Sequence, residues 1–283
     1  GGRRGRPPVP LLPTRPVAPD QDHDDGRRDH RVPRNPVTMD GKQRHAEGEE
    51  RQDQPEQRRD LERPRIVLLN GRPLSINWAA ENVPAILEAW EPGTEGGHAV
   101  ADILFGDAIP GGKLPVAFPR KGSHAPLYYA RNLTHSPEGS PMYNPRYWDG
   151  LPVPLYPFGF GLSYTTFEIA NMKVSAPQVK VGSTVRVTAD VTNTGTRAGD
   201  EVVQLYIHQQ AGSDSRPMRE LKGFERITLQ PGETRTVTFQ LGPSELGYWS
   251  SNLGRWVQDA SDFDLWVGSD SLASLHAALV VVQ

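Results

Sequence analysis

Two-residue alternation of apolar and polar side chains constrains the second half of this chain more than any other feature. Val185, Val187, Ala189 and Val191 alternate with Arg186, Thr188 and Asp190. Val203, Leu205 and Ile207 repeat the pattern, as do Val237, Phe239 and Leu241, and then Phe263, Leu265 and Val267. Successive side chains of a strand point to opposite faces, so these runs predict half-buried strands. Turn signals separate them at Asn193-Thr194-Gly195, Gln230-Pro231-Gly232 and Asn252-Leu253-Gly254. About seven short strands in a little over 100 residues predict a two-sheet sandwich over 167–283.

The preceding segment reads differently. Ile66-Val67-Leu68-Leu69 is a short continuous apolar run of the kind found in buried parallel strands, and Asn70-Gly71 turns the chain after it. A short helix is expected over Ile76 to Ala80, and a second buried strand over Ala85 to Trp90. A helix then follows, with Thr94 as its cap, Ala99, Val100, Ile103 and Leu104 on one face, and Gly106 where a left-handed terminus falls. Leu114 to Phe118 predicts another strand. Strand, helix, strand at this spacing is α/β architecture, so residues 66–120 read as a partial α/β domain with mostly parallel strands. Residues 121–166, rich in Pro, Gly, Tyr and Asn, read as a long loop or linker.

Residues 1–65 contain no aromatic residue, although the chain has six Trp, eight Tyr and eight Phe. Such a stretch cannot bury enough apolar surface to offset the roughly 1–2 kcal/mol per residue of backbone entropy lost on folding. It is expected to be disordered. The formal net charge is -3. Arginines in the start are interleaved with acids, as in Asp24-Asp25-Gly26-Arg27, and no aromatic there can stack a base, so no nucleic-acid partner is expected. The chain has no Cys, which excludes disulfides, thiolate catalysis and Cys-based zinc sites. No apolar run approaches the roughly 20 residues of a membrane span, and no signal peptide is visible. Cytoplasm, periplasm and secretion all stay open. The opening Gly1-Gly2-Arg3-Arg4, without Met, points to a fragment.

Three motif stretches carry more specific information. Leu69-Asn70-Gly71-Arg72-Pro73-Leu74 comes first. Ala89-Trp90-Glu91-Pro92-Gly93-Thr94-Glu95-Gly96-Gly97 then leads through Ala101-Asp102-Ile103-Leu104-Phe105-Gly106-Asp107 into Gly112-Lys113-Leu114-Pro115-Val116-Ala117-Phe118-Pro119. Tyr156-Pro157-Phe158-Gly159-Phe160-Gly161-Leu162-Ser163-Tyr164-Thr165 is the third. In this order they resemble the C-terminal half of the family 3 glycoside hydrolases. Leu221-Lys222-Gly223-Phe224 and Pro231-Gly232-Glu233-Thr234 resemble that family's fibronectin type III-like domain, an immunoglobulin-like sandwich.

The resemblance implies a β-glucosidase that cleaves terminal β-linked glucose, or a similar sugar, with retention of configuration. It implies an N-terminal barrel supplying an Asp nucleophile and an α/β sandwich domain supplying the acid/base residue. Retention requires two carboxyl groups about 5–5.5 Å apart. No barrel is recognisable in this sequence, and the acid/base segment would fall within residues 1–65, where Glu47, Glu49 and Glu50 have no matching context. No catalytic residue is assigned, and the chain alone is expected to hydrolyse nothing. A domain without its barrel is also expected to expose apolar surface.

The substrate-contact candidates are Glu95, Arg146, Tyr147 and Trp148. Thr94-Glu95-Gly96-Gly97 opens a helix whose first N–H groups can face a ligand oxygen. Alternatively, the glycines allow close packing and Glu95 complements the helix dipole. Tyr143, Arg146, Tyr147, Trp148 and Asp149 lie in the long loop, either stacking on and bonding a sugar or anchoring the linker. His98, His124, His135 and His208 lack metal-ligand spacing, so no metal or cofactor is expected. Tyr248, Trp249, Trp256 and Trp266 read as sandwich core and interface, with a carbohydrate platform as the lesser alternative. The implied partner is a β-glucoside or oligosaccharide substrate of the complete enzyme, and a homo-oligomer is left open. The rival function is a non-catalytic carbohydrate- or protein-binding scaffold built on the sandwich.

Overall fold

The structure, a computed structural model, describes residues 65–125, 127–132 and 153–283. All of them belong to one compact unit, Asp53–Gln283. Of residues 1–65, where disorder was expected, 1–64 lie outside the described residues, and Arg65 begins the first strand.

Among the described residues strands predominate and helices are few and short. β1 (Arg65–Leu68) pairs in parallel with β2 (Ala85–Glu88), Arg65 opposite Ala85 and Leu68 opposite Glu88. The connection carries α1 (Asn77–Asn82), and α2 (Gly96–Phe105) follows β2. Three details depart from expectation. Apart from exposed Arg65 and Ala85, both strands are half-buried, because among the described residues only two short strands share this sheet. β2 stops at Glu88, and Trp90 beyond it takes a positive φ of 52°. α2 is capped by Glu95 and not by Thr94, with no side-chain bond to the helix start.

Leu114 to Phe118 forms no strand. It lies against Leu155 to Phe160 with a bend at Pro115 and Val116, Leu114 N–H donating to Phe160 C=O at 2.8 Å and Phe118 N–H to Tyr156 C=O at 2.9 Å. Pro115 and Pro157 have no N–H to give, so the ladder is reduced to an isolated bridge.

The sandwich follows from the alternation. One sheet holds β3 (Phe167–Val174), β5 (Val185–Asn193) and β8 (Thr234–Leu241), in the order β3-β5-β8. The other contains β4 (Gln178–Lys180), β6 (Gly199–Gln209), β7 (Glu220–Leu229), β11 (Ser261–Gly268) and β12 (Leu275–Val282), in the order β4-β12-β11-β6-β7. Val187, Val191, Val203, Leu205, Leu229, Leu241, Leu265 and Leu279 are all fully buried between the sheets. A short helix, α3 (Pro243–Leu246), then leads into a two-stranded antiparallel ribbon, β9 (Tyr248–Ser250) and β10 (Arg255–Val257).

β6 departs from simple alternation because both of its faces are buried. Val203, Leu205 and Ile207 face the core, while Gln204 and Tyr206 are buried on the other side. Part of the cover of that second face comes from before the sandwich, although Gln204 Nε2 also donates to Ser269 C=O at 2.6 Å. Gln204 Nε2 donates to Gly159 C=O at 3.2 Å, and Tyr129 stands edge-on to Tyr206 with ring centres 5.9 Å apart. Burial pushes the Tyr206 phenol well above its ordinary range.

Candidate functional site

In a parallel sheet the carboxyl ends of neighbouring strands converge with the helix starts that follow them, which makes that edge the natural ligand crevice. Here that edge holds Asn70 and Gly71 after β1, Glu88 to Pro92 after β2, and the first turn of α2.

Glu88 ends β2 with its Oε1 accepting the Trp90 N–H at 2.9 Å. That bond ties a bulky residue into a left-handed conformation of the kind that accumulates at functional sites. The Trp90 ring packs on Phe118 with centres 5.9 Å apart. Burial raises the Glu88 carboxyl above its ordinary range, against the opposing bonds from Trp90 and Asn70. Glu88 Oε2 and Asn70 Oδ1 are buried, with no hydrogen-bond partner among the described residues. Asn70 Nδ2 is used, donating to Arg72 C=O at 2.7 Å. A carboxyl whose charge is disfavoured, beside an open amide oxygen, suits a ligand that brings hydroxyl donors.

Glu95 stands at the mouth of α2, its Oε2 2.8 Å from His98 Nδ1, with both side chains more than four-fifths exposed. A pair this open contributes little to stability. The two glycines after it divide. A Cβ on Gly96 would lie 2.5 Å from Pro92 Cγ, so Gly96 is demanded by packing, whereas one on Gly97 would meet nothing within 4 Å. Arg146, Tyr147 and Trp148, together with Tyr143 and Asp149, lie outside the described residues. Glu95 is therefore the one sequence-predicted contact among the described residues, and its side chain pairs with His98. Among the described residues no group of three His, Cys, Asp or Glu is arranged to hold a metal ion, and no helix is long and apolar enough to cross a membrane.

The sandwich fixes this edge from behind. Gly106 ends α2 at φ 83°, as its position in the sequence predicts. Its carbonyl accepts Arg197 Nη2 at 2.8 Å, and Tyr164 OH donates to Ile103 C=O at 2.7 Å. Lys113 Nζ reaches Glu201 Oε1 at 2.8 Å and Gly161 C=O at 3.0 Å, with Lys113 and Glu201 only 12% and 7% exposed. The glycines of Phe158-Gly159-Phe160-Gly161 are required by this contact. A Cβ on Gly159 would sit 2.2 Å from Gln204 Oε1, and one on Gly161 would sit 2.3 Å from Gly112 O. Sequence reasoning missed Glu88, Arg197 and the Lys113–Glu201 pair. Only Glu201 left a signal, an acid in step with Val203 and Leu205 on the core-facing side of β6.

Beside this edge, Pro73, Val116, Ala117, Pro119, Ala125, Leu127 and Tyr128 line a shallow apolar pocket of about 320 Å³. Phe105 and Leu162 are 82% and 76% exposed.

Comparison with known proteins agrees with this architecture. Residues 56–164 match the glycosyl hydrolase family 3 C-terminal domain, and residues 201–271 match the fibronectin type III-like domain. The chain is 44% identical over 209 residues to a periplasmic β-glucosidase of Salmonella typhimurium, covering 73% of this chain and 27% of that protein. It is 46% identical over 208 residues to a β-xylosidase of Formosa agariphila, covering 74% and 28%. A β-glucosidase of Listeria innocua, solved with isofagomine, superposes with a TM-score of 0.72 at 36% identity, covering 77% of this chain and 31% of that one. The chain thus spans under a third of the length of these relatives, corresponding to their C-terminal part. With both matches in sequence order, this chain carries the C-terminal domain of glycosyl hydrolase family 3 followed by a fibronectin type III-like domain.

Proposed function

We propose that this chain is the C-terminal portion of a retaining β-glucosidase, and that the complete enzyme removes terminal β-D-glucosyl residues without a cofactor. In this reading residues 66–120 are a partial α/β sandwich domain with mostly parallel strands. Residues 121–166 are a linker, and 167–283 a fibronectin type III-like sandwich that braces the catalytic domains. The strongest support is the two-domain match in sequence order, together with the likeness to relatives named as β-glucosidases. Glu95, with Arg146, Tyr147 and Trp148 of the linker, would contact the sugar. Glu88 joins them because one oxygen of its carboxyl is buried at the strand ends with no partner among the described residues. The 46% identity to a β-xylosidase supports a β-xyloside substrate as the second reading.

The test is a chimera in which residues 66–283 replace the corresponding C-terminal part of the Salmonella β-glucosidase. The chain alone is expected to release no nitrophenol from p-nitrophenyl β-D-glucoside. The folded chimera is expected to do so, and Glu95→Ala to raise its KM. Turnover by the chain alone, or a folded chimera inert on glucoside and xyloside alike, would sink this reading.

A further inference from the structure

Two of the tryptophans expected in core or interface lie outside the core. In the β9–β10 ribbon Trp249 and Trp256 are directly opposed partners, so both side chains stand on the same face. They are 54% and 66% exposed, whereas Tyr248 and Ser250 on the opposite face are 4% and 1% exposed. The rings meet edge to face, with centres 6.2 Å apart and planes at 78°. The ribbon beneath them is held firmly. Tyr248 OH donates to Asp259 Oδ2 at 2.6 Å, the Arg216 guanidinium lies 4.3 Å over the Tyr248 ring, and Gly254 closes the turn at φ 61°.

We propose that the outward face of this ribbon is a carbohydrate-binding platform for a soluble β-linked glucan chain, with Trp249 and Trp256 as its stacking residues. The size of the patch selects the occupant. Two indoles at this exposure offer on the order of 200–300 Å² of apolar surface. A stable protein interface needs about 800 Å² per partner, so a second copy of the chain is too large a partner for so small a patch. A pyranose ring matches it. The C–H face of a β-linked glucose is apolar and flat, and its hydroxyls project sideways toward the exposed Ser251, Asn252 and Arg255 that flank the pair. Rings set at 78° cannot share one flat surface, so the platform suits a single flexible chain and not a crystalline face. The choice of a β-glucan rests on the β-glycosidase reading above; the stacking geometry does not.

The test is titration of the full chain with cello- and laminari-oligosaccharides, followed by calorimetry and by the indole N–H resonances. Trp249→Ala and Trp256→Ala are each expected to weaken binding about tenfold, which is about 1.4 kcal/mol, and the double variant to abolish it. Trp78→Ala, at a residue equally exposed in α1, should leave affinity unchanged. In the unaltered chain the Trp249 and Trp256 resonances should shift with added sugar while that of Trp78 stays, which needs no variant to fold. Several results overturn the platform: no binding at millimolar sugar, undiminished binding by a folded double variant, shifts confined to other indoles, or a concentration-dependent dimer that the double variant loses. None of these touches the chimera assay, which reads hydrolysis, so the two proposals fail separately.

Discussion

The Lys113–Glu201 pair offers a quantitative check on how the α/β segment is joined to the sandwich. Lys113 Nζ has two partners, Glu201 and the Gly161 carbonyl, and Glu201 Oε1 also accepts the Val202 N–H at 3.0 Å. With exposures of 12% and 7%, neither side chain can turn to water without moving its backbone. Glu201→Gln leaves the ammonium buried against a carbonyl and a neutral amide. Breaking a buried pair in this way costs about 3 kcal/mol or somewhat more. For a folded unit of this size, 1 kcal/mol corresponds to about 2–4 °C in melting temperature, so the variant should melt roughly 6–12 °C lower. Lys113→Met, which strands the carboxylate, should fall by a similar amount. The double variant Lys113→Met with Glu201→Leu removes both charges and replaces them with apolar volume, and should recover to within about 1 kcal/mol of the parent. Thermal unfolding followed by near-ultraviolet circular dichroism reads all four proteins. A Glu201→Gln melting point within about 2 °C of the parent would show that the pair is hydrated in solution. A double variant that loses the sum of the single losses would show that the side chains act by packing and not by charge.

Asp259 is held below the ordinary carboxyl range by the Tyr248 hydroxyl first and by the Ser213 backbone N–H next. Its folded pKa lies below the unfolded value of about 3.9, so its contribution is complete above that value and is lost as pH falls through the folded pKa. The gap in urea midpoint between the parent and Asp259→Asn should be constant from neutrality to about pH 5 and close in stronger acid; a gap that widens with acid would contradict this. Gly159→Ala would place a methyl against the buried Gln204 amide at a φ of 81°, and should cost about 1–3 kcal/mol from backbone strain before any steric displacement. An alanine variant as stable as the parent in urea would show that the 158–161 turn is not held against β6.

The sandwich was legible because each of its strands shows one face to a single core, and alternation reports that directly. What alternation cannot report is a second covering layer. Gln204 and Tyr206 read as outward residues of β6, yet they are buried under Gly159 and Tyr129, whose proximity no local period encodes. Glu201 could be recognised as an acid on an apolar face, but its partner Lys113 is distant in sequence. The strand expected at Leu114 to Phe118 failed at Pro115, where apolar content was weighed without counting donors. Trp249 and Trp256 were assigned to core or interface on residue type, although the three-residue strands that carry them put Tyr248 inward and leave both indoles outside. At the candidate site, Glu95 and the glycine-rich turn were visible as motif. The left-handed Trp90 and the Glu88 carboxyl tied to it depend on backbone geometry that composition does not reveal.

The second buried face of β6 also bears on portability. A sandwich excised at Phe167, where its first strand begins, would keep its inter-sheet core. It would nevertheless bring Tyr206 and Gln204 into water and discard the chain segment that shields them. The smallest transplantable piece therefore starts earlier, with the Tyr156–Thr165 motif included and Tyr129 supplied. Grafting this sandwich onto an unrelated protein would succeed only if the new host brought an aromatic lid of its own.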